Sequence, residues 1–382
     1  MNRSLAVTVL ALVSLVGCDR SLPSAPAAQL DATLPPTGAR GLTVMTRNLY
    51  LGADLDPLLA ESDPNQIPFL AAHAFQAVLA SDFPERAQAL AGEIAAVSPH
   101  LVGLQEVSTY RVQSPGDAAF GGTTPATHVV IDFLPTLLAA LDARGAHYVM
   151  VAIQPHMDAE VPAITGVDPN TGIPTFDDVR YTDYDAILAR ADVAIEDARH
   201  ANYAAAIATA VGGIPIDITR GWVSVVATVG GQKIRFVSTH LEVQGFEPIQ
   251  VAQAQELLGT VANETLPVVM VGDYNSAGDG SQTPSYGMIR GAGFIDPWAQ
   301  VHPGAAGFTC CEAADLRNAI PQLDQRLDLV WLRDGLTGRT GRISGGVQIA
   351  IVGNNPADRT PSGLWPSDHA GVVATLTIPP QR

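Results

Sequence analysis

The stretch Leu266-Pro267-Val268-Val269-Met270-Val271-Gly272-Asp273-Tyr274-Asn275 sets an unbroken apolar run against an abrupt polar end. A short run with no polar residue inside it reads as a strand covered on both faces, central in its sheet. A carboxylate and an amide directly after such a strand sit at a sheet rim, where α/β proteins place their sites.

The same pattern recurs on either side. Leu42–Met45 reads as a buried strand that stops at Thr46-Arg47-Asn48, and Leu101–Leu104 as one that stops at Gln105-Glu106. Trp222–Val229 and Lys233–Thr239 alternate around Gly230-Gly231, a hairpin signature, and the second arm stops at His240. Leu327–Leu332 and Gly371–Ile378 are the last two strands, with Ser367-Asp368-His369 just before the final one. Helices are expected from Pro84 to about Val97, over Val129–Ala143 and over Ile249–Val261. Tyr148–Ile153 and Ala186–Ala189 are further strands. The Gly- and Pro-bearing stretches 111–127 and 154–184 are expected to be loops. The order β, α, β, α, then mostly β, predicts an α/β sandwich with helices outside the sheets. No internal break divides residues 41–382, which are expected to form a single domain.

If these strand ends share a rim, Asn48, Glu106, His240, Asp273, Asn275, Asp368 and His369 converge in one cleft. Carboxylates and amide oxygens are hard ligands suited to Mg²⁺, Mn²⁺ or Ca²⁺. Histidine beside carboxylate is the usual way to orient a general base. Taken singly, each motif has an ordinary reading. Gly-Asp-x-Asn is commonly a turn, Ser-Asp-His a cap, and Thr-His-Leu the setting of a core histidine. Their number and order carry the signal.

Composition narrows the function. The 382 residues carry a formal charge of −17, and Lys233 is the sole lysine. A strongly acidic surface repels nucleic-acid backbones at long range, which weakens a polyanion-binding role. At the N-terminus, Arg3 precedes the mostly apolar run Leu5–Val16, which is short for a membrane span and is expected to be an export signal. It ends in Leu15-Val16-Gly17-Cys18, which resembles a bacterial lipobox. That resemblance implies cleavage after residue 17 and lipidation of Cys18. The expected organisation is a signal peptide at 1–17, a lipidated, Ala/Pro/Ser-rich tether at 18–40, and a domain held to the cell envelope by its lipid, on the periplasmic or cell-surface side. The adjacent Cys310 and Cys311 could brace a loop or remain thiols.

Asn48, Gln105-Glu106, Thr239-His240-Leu241, Gly272-Asp273-Tyr274-Asn275, Arg326-Leu327-Asp328 and Ser367-Asp368-His369 resemble the ordered motifs of the endonuclease/exonuclease/phosphatase superfamily. That group includes DNase I, exonuclease III, neutral sphingomyelinases and inositol polyphosphate 5-phosphatases. The resemblance runs from about Gly41 to Ile378 and implies a four-layered, DNase I-like α/β sandwich. It implies a metal at Glu106, with Asn48 as ligand or ligand-orienting amide and Asp368 as a further metal-proximal carboxylate. It implies His369 as general base, Asp328 as the carboxylate that fixes its tautomer, and Asp273 as the group that positions water. Asn275 would contact the phosphate, and His240 would stabilise the pentacoordinate phosphorus or help the leaving group. Tyr110 and Arg190 are softer candidates for phosphate contact. The implied activity is divalent-metal-dependent hydrolysis of a phosphodiester or phosphomonoester, with Mg²⁺ (or Mn²⁺ or Ca²⁺) as cofactor. Substrate readings left open are a small ester, a nucleic acid and a lipid head group. The non-enzyme alternative is a surface-binding lipoprotein with an inactive site. No protein partner is expected.

Overall fold

The computed structural model describes residues 40–333 and 346–378. The expected signal segment, Cys18 and the tether up to residue 39 lie outside the described residues.

Along the chain the elements are β1 (Arg40–Asn48), α1 (Asp56–Leu59), α2 (Ile67–Ala80), α3 (Phe83–Val97), β2 (Leu101–Gln105), β3 (Thr109–Gln113), β4 (His128–Asp132) and α4 (Phe133–Asp142). There follow β5 (Tyr148–Val167), β6 (Pro174–Arg190), β7 (Ala194–Asn202), β8 (Ile207–Val211), β9 (Ile214–Ile218), β10 (Gly221–Val229) and β11 (Gln232–His240). The last are α5 (Glu247–Val261), β12 (Val268–Asp273), α6 (Ser285–Gly291), α7 (Pro297–Val301), β13 (Asp328–Arg333), β14 (Val347–Val352) and β15 (Gly371–Ile378).

Two mixed sheets pack face to face. One runs β14-β15-β1-β2-β6-β3-β4 with β5 on the other edge of β6, and the other runs β13-β12-β11-β10-β7. Strand alternation explains the layers. Val44 and Leu101 meet Phe236, Val269 and Val271 between the sheets, while Met45, Val102 and Leu104 face α2, α3 and α4. Val237, Val268 and Met270 face α5 and α6. The result is the expected four-layered, DNase I-like sandwich, with mixed sheets flanked by helices. The sheets approach so closely that a Cβ on Gly103 would lie 2.6 Å from Ser238 and Val271, which requires glycine there.

Arg86 of α3 is fully buried and ties the site's loops to the helix layer. Its guanidinium donates to the carbonyls of Ser81, Leu49, Tyr50 and Pro366. It is thereby bonded to the turn after β1 and to the segment before β15, the two chain stretches that carry Asn48 and His369.

Several local expectations are corrected. The stretch 111–127 begins inside β3, and 154–184 is mostly the long hairpin β5–β6. Pro155 and Gly166 fall at the register shifts Pro155/Asp158 and Ile164/Gly166, where the strand bends instead of ending, and Pro162 pairs in regular register with Asp178. The expected helix over 129–143 starts only at Phe133; its first residues form β4, paired with β3. Strand pairing overrode local helical spacing there. No helix among the described residues is long and apolar enough to cross a membrane.

Candidate active site

The inner-face positions of each strand turn from apolar to polar at one rim of the sandwich. On β1 these are Thr46 and Asn48, on β2 Gln105, on β11 Ser238 and His240, on β12 Asp273, and on β13 Asp328. The register aligns them: Asn48 pairs with Gln105, His240 with Asp273, and Asp273 with Asp328. Gln105 Nε2 donates to Ser238 Oγ at 2.8 Å, bridging the two sheets beneath the site. Tyr50, Glu106 and Asn275 then take left-handed φ angles of 59°, 54° and 46°. Each costs on the order of 1–3 kcal/mol for a non-glycine residue, a strain typical of functional turns. The turns open a cleft of about 570 Å³ lined by Glu106, His240, Asp273, Asn275, Asp368 and His369, among others. Asn48 lies beneath it.

Asn48 is fixed as a donor. The Tyr50 backbone N–H donates to its Oδ1 at 2.9 Å, so its Nδ2 donates to Glu106 Oε1 at 3.0 Å and to Asp273 Oδ2 at 3.2 Å. This network places Asn48 to orient the two carboxylates, and the second lone pair of its Oδ1 remains available to a ligand. The second Glu106 oxygen accepts from the Leu51 N–H at 2.7 Å.

His369 Nδ1 lies 2.8 Å from Asp328 Oδ2, and its Nε2 lies 3.7 Å from Asp273 Oδ2. The Thr309 hydroxyl accepts from the backbone N–H of Asp328 at 3.1 Å. Arg47 donates to the His369 carbonyl and pairs with Glu93 of α3 at 3.0 Å, so it faces the helix layer as alternation requires. Burial opposes charge on His369, but Asp328, Asp273 and Asp368 together push its pKa well above the ordinary value. Burial raises the Asp368 carboxyl to about 7, reinforced by Glu106. Burial likewise raises Asp273 to about 6, reinforced by Asp328 and Glu106. Such crowding of carboxyls is what a bound cation would relieve, and their oxygens are hard donors, so the residues present fit a divalent hard metal. Among the described residues, one tight group of potential ligand atoms, all within 4.8 Å of one another, is Asp273, Asp328 and His369; the other is Cys310, Cys311 and His369. Cys310 and Cys311 are disulfide-bonded to each other on the cleft wall, with Cys311 Sγ 3.9 Å from His369 Nε2.

His240 carries a partner that the sequence reading missed. Arg220 Nη1 lies 3.1 Å from His240 Nδ1. A guanidinium can only donate, so Nδ1 is the acceptor and the neutral ring carries its proton on Nε2. Nε2 lies 3.5 Å from Asp273 Oδ2, an acceptor for that proton, and 3.2 Å from Asn275 Nδ2, which donates one hydrogen to the Leu241 carbonyl at 3.0 Å. Burial, then Arg220, pushes the His240 pKa well below its ordinary value, so the ring stays neutral. Arg220 in turn lies 3.7 Å from both Asp183 and Glu242. The signal was present: pairing around Gly230-Gly231 sets residue 221 opposite 240. Asp183 escaped notice because β6 read as a loop. Behind it, His156 Nε2 and Asp185 Oδ2 face each other at 3.2 Å, fully buried.

Arg190 does not reach the site. β6 runs antiparallel to β2, so Arg190 emerges at the opposite rim, bonded to Asp192 and the Ser98 carbonyl. Tyr110 is a packing residue, stacked on Tyr181 at 5.0 Å with its hydroxyl donating to the Leu51 carbonyl.

The fold and the polar rim define a class of hydrolases acting on phosphate esters. Residues 77–369 match the sequence model of the endonuclease/exonuclease/phosphatase family, and the chain belongs to that family. Among solved structures, a family member from Leptotrichia buccalis aligns at TM-score 0.51 and 17% identity, over 87% of this chain and 98% of that one. Another from Beutenbergia cavernae aligns at TM-score 0.50 and 18% identity, over 89% and 72%. These likenesses bear on the fold alone. No curated protein matches the chain. As a member of this family the protein is a phosphoester hydrolase.

Proposed function

We propose that the protein hydrolyses a small phosphate ester, diester or monoester, by in-line attack of water, with a divalent cation as cofactor. The observation that carries the reading is the His369–Asp328 pair, 2.8 Å apart, with the free Nε2 turned toward Asp273 and the cleft. Asp328 holds the proton on Nδ1; with the charge of Asp273 and Asp368 offset by a bound cation, Nε2 would offer the lone pair that takes a proton from water. Asp273 places that water. The His240 Nε2–H and the Asn275 side chain donate to phosphoryl oxygens. Glu106 and Asp368 would hold the cation. When bound, Mg²⁺, Mn²⁺ or Ca²⁺ polarises a phosphoryl oxygen and offsets charge in the transition state. Seven carboxylates (Asp54, Asp56, Glu106, Asp183, Asp273, Glu312 and Asp368) and one guanidinium (Arg220) line the cleft. Polynucleotide binding relies on repeated cationic contacts, so this lining favours a small ester over a nucleic acid. The lipobox Leu15–Cys18 supports an exported, lipid-anchored location.

The test is hydrolysis of bis-p-nitrophenyl phosphate, sphingomyelin, phosphatidylinositol phosphates, DNA and RNA, with each cation against EDTA. Turnover abolished by EDTA and reduced about 10²–10⁴-fold by His369→Ala supports the reading. A folded, metal-binding His369→Ala protein that keeps near-full activity overturns the assignment of the base. A folded wild type that binds no cation favours a binding protein instead.

A further inference from the structure

We propose that a cavity beside the catalytic cleft is an alkyl subsite, and that the substrate is a phosphodiester with one short alkyl arm of two to three carbons. The proposal rests on the phosphoesterase reading above and specifies which ester that site takes.

The cavity measures about 60 Å³ and lies between α1, α2, the β5–β6 hairpin and the β8–β9 pair. Carbon lines it almost throughout. Tyr110 contributes ring carbons, because its hydroxyl is turned away to the Leu51 carbonyl. Ala71 and Ala74, one turn apart on α2, create the room: both face the cavity, and larger side chains there would fill it. A water would find too few polar partners inside, so the space stays dry.

Its position carries the argument further than its chemistry. Leu55, Leu59, Met157 and Tyr181 line both this cavity and the catalytic cleft. The same four side chains therefore face an acidic cleft with a phosphoryl-binding cluster on one side and an apolar recess on the other. A ligand that fills both is a phosphate ester with an apolar substituent. A cavity of about 150 Å³ accommodates benzene, which scales to two or three carbons here. The walls come from the segment Leu55–Val78 with α1 and α2, from β3 and the β5–β6 hairpin, and from the β8–β9 pair, all outside the strands that carry the catalytic residues.

In the reaction, water oxygen bonds to phosphorus and the bond to the leaving oxygen breaks. The water proton passes to His369, and the alkyl–oxygen bond is untouched. The alkyl phosphate monoester is the product that occupies the recess.

The experiment is a chain-length series of alkyl p-nitrophenyl phosphodiesters, methyl through hexyl, assayed for kcat/KM with the full chain and Mg²⁺. Each buried methylene is expected to raise kcat/KM about fourfold, from about 0.8 kcal/mol at 1.4 kcal/mol per decade. The rise should stop at propyl, where the recess is full. Val78→Ala, which enlarges the recess, should move the break to a longer chain, and Ala74→Leu should flatten the series. Binding of the matching alkyl methylphosphonates, followed by calorimetry, should show the same slope and break whether or not the diesters turn over. Phosphonates that bind with this slope to an inactive protein would refute the phosphoesterase reading and leave the subsite standing. A flat binding series, or a slope that continues unbroken to hexyl and ignores Val78→Ala, would overturn the subsite.

Discussion

Replacing Asp328 by Asn separates two roles that the geometry allows. Asp328 is 1% exposed, its Oδ2 sits 2.8 Å from His369 Nδ1, and it belongs to the Asp273–Asp328–His369 group of potential ligands. If it orients the base, Asn keeps the shape and removes the charge that stabilises the imidazolium formed when His369 takes the proton. Two charges about 4 Å apart at an effective dielectric constant of about 20 interact by about 4 kcal/mol. At 1.36 kcal/mol per decade this is about 10³ in kcat. Asn can also turn its amide N–H₂ toward Nδ1, which would shift the proton to Nε2 and block the base. The fold should survive, since one buried hydrogen bond is weakened by about 1 kcal/mol. The assay pairs steady-state kinetics on bis-p-nitrophenyl phosphate with Mg²⁺ titration by calorimetry. The expected result is kcat lower by about 10³, KM nearly unchanged, and metal affinity within a few-fold of wild type. A folded variant that keeps a tenth of its kcat would refute the base-orienting argument. Metal affinity lost in step with activity would make Asp328 a ligand.

The remaining predictions concern the second histidine and its surroundings. In wild type, ¹⁵N spectra of the His240 ring should report the Nε2–H tautomer near neutral pH, and Arg220→Gln should give a mixture with kcat reduced about 10-fold or more; an Nδ1–H ring in wild type would contradict the tautomer derived above. His156 is pulled down by burial but raised overall, chiefly by Asp185, so its folded pKa lies above the unfolded 6.5. Its stabilisation is then complete below pH 6.5 and fades as pH rises through the folded pKa. Urea unfolding of wild type and His156→Gln should differ most at pH 6 and progressively less toward pH 9, and a constant gap would exclude this linkage.

The strand ends were legible because their signal is local. An apolar run followed by Asp273 or Glu106 is visible in a few residues, and the hairpin around Gly230-Gly231 fixes its own register. The β5–β6 hairpin was not legible, because its Pro and Gly residues read as breaks, whereas pairing with the partner strand absorbs Pro155 and Gly166 at register shifts and Pro162 in regular register. Asp183 and the apolar recess were hidden with it.

By itself, then, the sequence determined which residues are polar at the ends of buried strands, and hence the layered class and the list from Asn48 to His369. Only the tertiary structure decided how those residues divide their work. The Tyr50 N–H turns the Asn48 amide into a donor, Arg220 makes His240 a neutral Nε2–H donor, and antiparallel pairing sends Arg190 to the far rim. Hydrophobic periodicity is a property of neighbours along the chain. A tautomer, an amide orientation or a cavity wall is set by groups tens to hundreds of residues away, and those come together only when the sheets pack.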